Sequence, residues 1–234
     1  EEHPGIKCVV MVPTHELAIQ IADVFDKIAV DTGVRTLGLF GGVDQAPQIA
    51  ALQDGIDILV ATPGRLFDLL NQRHFKLRTV QILVLDEADH MLDMGFYDDI
   101  KDLITYIPQK RQTLFFSATI SEKIKDLAYS IVKNPIRIQI SPKDRVSKNI
   151  DHSVMFVAMD DKRFFLERLI NENPESKILV FVRTKVRAER VAQAMERVNI
   201  KTITMHGGKE QQDRLKVMNA FKAGEVQVLI ATDV

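Results

Sequence analysis

An α/β fold with two consecutive parallel-sheet domains is predicted by three features of this 234-residue sequence. Short apolar, β-rich runs alternate with amphipathic helical stretches almost throughout, the pattern of repeated βαβ units. The alternation halts once, at Ser141–Asp151, and then starts again. The run Ile82-Leu83-Val84-Leu85 is apolar at every position, as a strand covered on both faces must be. It ends in the carboxylates Asp86, Glu87 and Asp89.

The elements follow in order. Val9–Val12 is a strand, and from Leu17 the residues Leu17, Ile21, Val24, Phe25 and Ile28 fall on one helical face. Thr36–Phe40 and Ile58–Ala61 are strands. Tyr97–Ile107 reads as a helix with Ile100, Leu103, Ile104 and Ile107 inward. Thr113–Phe116 and Ile136–Ile140 are the last strands of the first set. Ser141–Asp151 is polar, contains a proline and lacks periodicity, so it reads as a linker. The domains are therefore placed at 1–142 and 151–234, joined by 143–150. In the second, Val154–Ala158 is a strand and Lys162–Asn171 a helix with Phe165, Leu166, Leu169 and Ile170 inward. Ile178–Val182 is a strand, followed by a helix burying Ala188, Val191, Met195 and Val198. Thr202–Met205, a helix around Leu215–Phe221, and Val226–Ala231 complete the set.

Composition sets outer bounds. Hydrophobic residues make up 46% and charged residues 27%, which suits a chain with a substantial core and a solvated surface. No apolar stretch is long enough to span a bilayer, so no membrane partner is expected. The lone Cys8 sits in an apolar run; it is read as a buried, inert thiol, and a reducing cytoplasm fits. Net charge is −1, so nucleic acid would have to be held by local phosphate contacts, not by a broadly basic surface.

The chemistry sits at the strand ends. In open α/β sheets ligands bind beyond the carboxyl ends of the strands. There Asp86 could hold magnesium through its water shell, and Glu87 could orient and deprotonate a water attacking a nucleotide γ-phosphate. The ordinary alternative is an acidic helix N-cap. Pro13-Thr14-His15-Glu16 follows the first strand, with Thr14 able to cap a helix whose first N–H groups can hold a phosphate. Gly41-Gly42 permits close backbone approach. Thr62-Pro63-Gly64-Arg65 suits a turn with an anion contact. Ser117-Ala118-Thr119 places two hydroxyls at the same edge. Each of these alone is more often an ordinary turn or helix start. Arg183 and Lys185 could be solvated cations, His206 a capping residue, and Met91 and Met94 packing residues. No His/Cys cluster suggests zinc.

Taken in this order, the motifs resemble those of the DEAD-box ATP-dependent RNA helicases of superfamily 2, bacterial members most of all. The resemblance runs through Asp86-Glu87-Ala88-Asp89 and the following His90–Phe96, then Phe181-Val182-Arg183-Thr184. It continues through His206-Gly207-Gly208 with Gln211 and Arg214, and ends in Ala231-Thr232-Asp233-Val234. It implies two tandem RecA-like domains, with ATP and Mg2+ as cofactors and RNA as partner. On it, Asp86 would anchor magnesium through water and Glu87 would be the general base. Asp89 would couple the nucleotide site to Ser117 and Thr119, linking hydrolysis to domain closure. Pro13, Thr14, His15, Glu16, Gly42, Thr62, Pro63, Gly64 and Arg65 would line the RNA groove of the first domain. Thr184, Gly207, Arg214 and Thr232 would contact RNA backbone from the second, and Asp233 would approach the ATP ribose. Backbone contacts give little sequence specificity, and the 2′-hydroxyl distinguishes RNA from DNA.

The sequence departs from the family in two respects. His15 stands where the family usually has arginine, which removes a permanent charge. No Gly-Lys-Ser/Thr loop is present to cradle β- and γ-phosphates; Gly208-Lys209 is followed by Glu210. The adenine-reading glutamine segment and the closing arginine motif are likewise absent. The expectation is an internal fragment with both domains incomplete, unable to hydrolyse ATP alone, and with an unpaired hydrophobic gap near the middle of the first sheet. Two other readings stay open: an ATPase-deficient RNA clamp or interaction module, and a DNA helicase of the same superfamily.

Overall fold

The computed structural model describes residues 5–140 and 150–232, and the chain divides into two compact units, Glu1–Gln139 and Ile140–Val234. Most of the expected linker and all of Asp233 lie outside the described residues.

The first unit runs β1 (Cys8–Met11), α1 (His15–Ile28), β2 (Thr36–Leu39), α2 (Ala46–Asp54), β3 (Ile58–Ala61) and α3 (Pro63–Asn71). It continues with β4 (Ile82–Leu85), α4 (Ala88–Asp93), α5 (Tyr97–Tyr106), β5 (Gln112–Phe115) and α6 (Glu122–Ile131). All strand pairs are parallel, in the order β2-β3-β1-β4-β5. Alternation along the strands splits the core in two. Val9, Met11, Leu59, Leu83 and Leu85 meet Leu66 and Leu69 of α3, Ile100 and Leu103 of α5 and Leu127 of α6. Val10, Val12 and Val60 meet α1 on the opposite face.

The contact with α1 differs from the expected one. Its buried residues are Ala18 and Ala22, while Val24 is 48% and Ile28 73% exposed. The reason is close approach: a Cβ on Gly38 of β2 would lie 3.5 Å from the Ala22 Cβ and 3.7 Å from the Ala18 carbonyl. Small residues on both sides seat the helix low on the sheet, and the larger residues of its stripe fall at the margin. The α5 face is as expected, with Ile100 and Leu103 fully buried, Ile107 nearly so and Ile104 packed against them.

No gap interrupts this sheet among the described residues. Each adjacent strand pair is laddered over four residue pairs, including the central β1 and β4. At the β5 edge apolar surface is uncovered, with Leu114 and Phe116 37% and 53% exposed. Ile136–Ile140 forms no strand and its isoleucines are exposed.

The second unit contains α7 (Lys162–Glu172), β6 (Ile178–Phe181), α8 (Lys185–Glu196), β7 (Thr202–Met205), α9 (Gln211–Ala223) and β8 (Val228–Ala231). Its parallel sheet has the order β6-β8-β7. The central β8 is buried at all four positions. Ile170 of α7 and Ala188 and Met195 of α8 pack on Val228 and Ile230. Of the residues expected inward, Phe165, Leu169 and Val198 are instead exposed. Val154–Ala158 forms no strand, and Phe156 is 98% exposed. A strand needs a partner for its N–H and C=O groups, and neither of these two segments is paired in a described sheet.

Candidate nucleotide and nucleic-acid site

Register decides where the motifs fall. In the first sheet Leu39 pairs with Ala61, Ala61 with Met11, Met11 with Leu85, and Leu85 with Phe115. The last residues of all five strands therefore stand in one row. The residues that follow form a single edge: Gly41-Gly42, Thr62-Pro63, Pro13-Thr14, Asp86-Glu87 and Ser117. Central β1 lies between β3 and β4, where the chain's progress across the sheet reverses, and such a switch point is where open α/β sheets hold ligands.

The acidic turn is built by the backbone. The Asp86 N–H donates to the Met11 carbonyl at 3.0 Å, and the Ala88 N–H to the Phe116 carbonyl at 3.1 Å. Glu87 between them has φ 48° and ψ 48°, a left-handed conformation that costs a side-chain-bearing residue about 1 kcal/mol or more. That turn leaves the Glu87 side chain exposed, while Ala88 is buried beneath it. Asp86 Oδ1 accepts from the Glu87 N–H at 2.9 Å. Glu87 Oε2 also lies 3.3 Å from Nδ1 of His90, one turn along α4.

Asp89 reaches across to the β5 end. Its Oδ2 accepts from the Thr119 N–H at 3.0 Å, and the Ser117 hydroxyl donates to the Thr119 carbonyl at 2.8 Å. Burial raises the Asp89 pKa, but hydrogen bonds from Thr119, side chain and backbone, and from the His90 and Asp89 N–H groups outweigh it and hold the carboxyl below its usual range. Asp89 thus meets Thr119 directly and Ser117 through Thr119.

The other strand ends in this unit are braced. Thr14 caps α1 by accepting from the Leu17 N–H at 3.3 Å. The His15 ring lies 5.7 Å from that of Phe40, centroid to centroid. Gly42 has φ 73°, which accounts for a glycine there. Thr62-Pro63-Gly64-Arg65 is the start of α3 rather than a free turn, with Thr62 at the cap and Pro63 at the first helical position. Arg65 Nη2 donates to the Val43 carbonyl at 2.9 Å, and Gln48 Nε2 to the Phe40 carbonyl at 3.2 Å. The two side chains pin both ends of the Gly41-Gly42 loop. Gln48 is a residue the motif reading missed; its only signal was an amide one turn before Leu52 on a helix of that loop.

In the second sheet Phe181, Ala231 and Met205 are in register, so Thr184, Thr232 and Gly207 lie beyond one edge. Thr184 caps α8, accepting from the Arg187 N–H at 3.2 Å. Thr232 is buried, and Arg214 Nη1 donates to Gln211 Oε1 at 3.1 Å. His206 is buried and bonded to Glu189, a partner the sequence did not disclose. Arg183 and Lys185 are exposed; Met91 is in the core, but Met94 is 45% exposed.

Comparison with known proteins agrees with this geometry. Residues 1–127 match the family model described as DEAD/DEAH box helicase, and residues 161–234 the helicase conserved C-terminal domain. The chain belongs to the DEAD-box helicases. It is 39% identical over 233 residues to the DEAD-box ATP-dependent RNA helicase CshA of Bacillus licheniformis, covering 100% of this chain and 48% of that protein. It is 37% identical over 235 residues to the ATP-dependent rRNA helicase RRP3 of Yarrowia lipolytica, covering 100% of this chain and 49% of that one. A solved structure of S. cerevisiae Dbp5 bound to RNA and ADP BeF3 superposes with a TM-score of 0.86 at 25% identity, covering 97% of this chain and 58% of that one. The chain thus spans about half the length of the relatives it matches, and its two parallel-sheet units are RecA-like.

Magnesium can be tested against the donors present. Among the described residues no group of three or more His, Cys, Asp or Glu could form a metal cage. Asp86 offers a carboxylate on the sheet edge, and magnesium on a nucleotide needs one or two protein carboxylates, with phosphates and water completing its octahedron. The donor set fits a magnesium–nucleotide, not a free structural ion. No helix among the described residues is long and apolar enough to cross a membrane.

Proposed function

We propose that this chain is part of an ATP-dependent RNA helicase, with residues 1–142 and 151–234 as its two helicase domains. Hydrolysis would be stimulated by RNA and used to open short duplexes locally. The observation that carries this reading is the hydrogen bond from the Thr119 N–H to Asp89, which joins the acidic turn after β4 to the Ser117–Thr119 segment after β5.

Bound Mg–ATP supplies the reactive γ-phosphorus and neutralises phosphate charge. Asp86 would hold the magnesium of the bound nucleotide through its water shell. Glu87, turned outward by its left-handed backbone, orients the attacking water and takes its proton. Asp89 fixes the Ser117–Thr119 segment against that turn, so a change at one reaches the other. The family resemblance would assign Asp233 to the ribose.

RNA backbone is held by the remaining strand ends: Pro13, Thr14, His15, Glu16, Gly42, Thr62, Pro63, Gly64 and Arg65 in the first domain, and Thr184, Gly207, Arg214 and Thr232 in the second. The solved Dbp5 structure is bound to both RNA and ADP BeF3, which supports the pairing of RNA with a nucleotide for this chain. Residues 1–234 contain no Gly-Lys-Ser/Thr loop, so this stretch on its own should not hydrolyse ATP. RNA- and DNA-stimulated phosphate release by the longer protein tests the assignment. Stimulation by RNA alone supports it, and equal stimulation by DNA contradicts it.

A further inference from the structure

We propose that Glu189 is a positioning residue that acts through His206 to hold the Gly207-Gly208 turn in place for a phosphate of the bound RNA. This rests on the RNA-binding reading above and deepens it.

Three bonds define the arrangement. His206 Nδ1 accepts from the Gly208 N–H at 3.1 Å. A ring nitrogen that accepts carries no proton, so the ring is neutral and its proton is on Nε2. Nε2 donates to Glu189 Oε1 at 2.8 Å, and the same oxygen accepts from the Thr204 hydroxyl at 2.8 Å. The carboxylate, on α8, thereby selects the tautomer that lets the ring receive the Gly208 N–H. Thr204 and His206 are 6% and 7% exposed while the Glu189 side chain is 46% exposed, so the carboxylate reaches from the surface to two buried donors. The bonds from His206 and then Thr204 also hold the Glu189 carboxyl below its usual range. Lys209 Nζ lies 3.8 Å from the same oxygen.

The two glycines differ in what surrounds them. A Cβ on Gly208 would lie 3.2 Å from His206 Nδ1, so a side chain there presses on the ring, which must give by a few tenths of an ångström. A Cβ on Gly207 would meet nothing within 4 Å, so this residue faces open space. Gly207 offers its backbone outward while Gly208 is tied inward to the ring. Glu189 also lies on α8, the helix that Thr184 caps. One carboxylate therefore couples two strand-end segments assigned to RNA backbone.

The test joins RNA affinity of the chain, measured by anisotropy of a labelled single-stranded RNA, with the His206 tautomer read from long-range 1H–15N correlations. The wild-type ring is expected as the Nε2–H form. Glu189→Ala should mix the tautomers and weaken binding about tenfold, the scale of a charge-assisted bond. Glu189→Gln keeps an acceptor oxygen and should restore the tautomer and most of the affinity. Should Glu189→Ala fail to fold, Gly208→Ala, which presses on the ring without altering Glu189, should weaken binding in the same direction. Wild-type affinity in whichever of the two alanine variants folds, or an unchanged tautomer in Glu189→Ala, overturns the proposal. A wild-type chain that binds no RNA overturns the functional reading, and the proposal with it.

Discussion

Asp89 and Thr119 are 30 residues apart in sequence and meet across the end of the sheet, the Thr119 N–H donating to the Asp89 carboxylate at 3.0 Å. The bond crosses from α4 to the loop after β5, and the Ser117 hydroxyl closes that loop onto the Thr119 carbonyl. Two motifs that are distant in sequence form one hydrogen-bonded unit.

Asp89 therefore gives stability a defined pH dependence. Its pKa lies below the ordinary 3.8 when folded, so the ionised form favours the folded state. That contribution is present above about pH 4 and fades as pH falls through 3.8 towards the folded value. Urea midpoints should fall more steeply from about pH 6 to about pH 3 in the wild type than in Asp89→Asn. Parallel curves would contradict this.

The Gly41-Gly42 loop depends on Gln48. Gln48→Ala removes the donor to the Phe40 carbonyl and empties space on α2. The expected cost is about 1–3 kcal/mol in urea unfolding. A change within about 0.5 kcal/mol, the range of ordinary surface substitutions, would remove Gln48 from this role.

Cys8 should be slow to react. Burial pushes its thiol up to about 11, so little thiolate exists near neutral pH. Alkylation by iodoacetamide near neutral pH, followed by intact mass, should proceed more than about tenfold slower in the folded chain than in urea. Equal rates would show that the thiol is accessible and normally acidic.

His15 offers a test of the RNA groove. An arginine there adds a permanent cation beside the Gly41 turn, where the His15 ring now approaches. His15→Arg should tighten RNA binding at low salt and steepen its salt dependence by roughly one phosphate contact. An unchanged salt titration would remove this side chain from the interface.

Much of this was legible in the sequence because it is local. The apolar run Ile82–Leu85 and the polar residues directly after each strand pointed to the parallel sheet and to the edge that carries the candidate site without reference to distant contacts. What stayed hidden is non-local. Val154–Ala158 and Ile136–Ile140 have strand composition, yet no described strand pairs with them, and composition carries no information about partners. The low seat of α1 depends on Gly38 opposite Ala18 and Ala22, which displaces Val24 and Ile28 from the core. The pairing of Glu189 with His206 joins a helix to the end of a strand 17 residues on, and no spacing rule announces it.

The catalytic role of the acidic turn is tested most directly by phosphate release from the longer protein, wild type and Glu87→Gln, with and without single-stranded RNA. The wild type should show RNA-stimulated hydrolysis. The Gln variant, which keeps the size of the side chain but cannot take a proton, should lose about 100-fold or more while binding RNA as before. Hydrolysis at the wild-type rate in Glu87→Gln would contradict the role given to the acidic turn after β4.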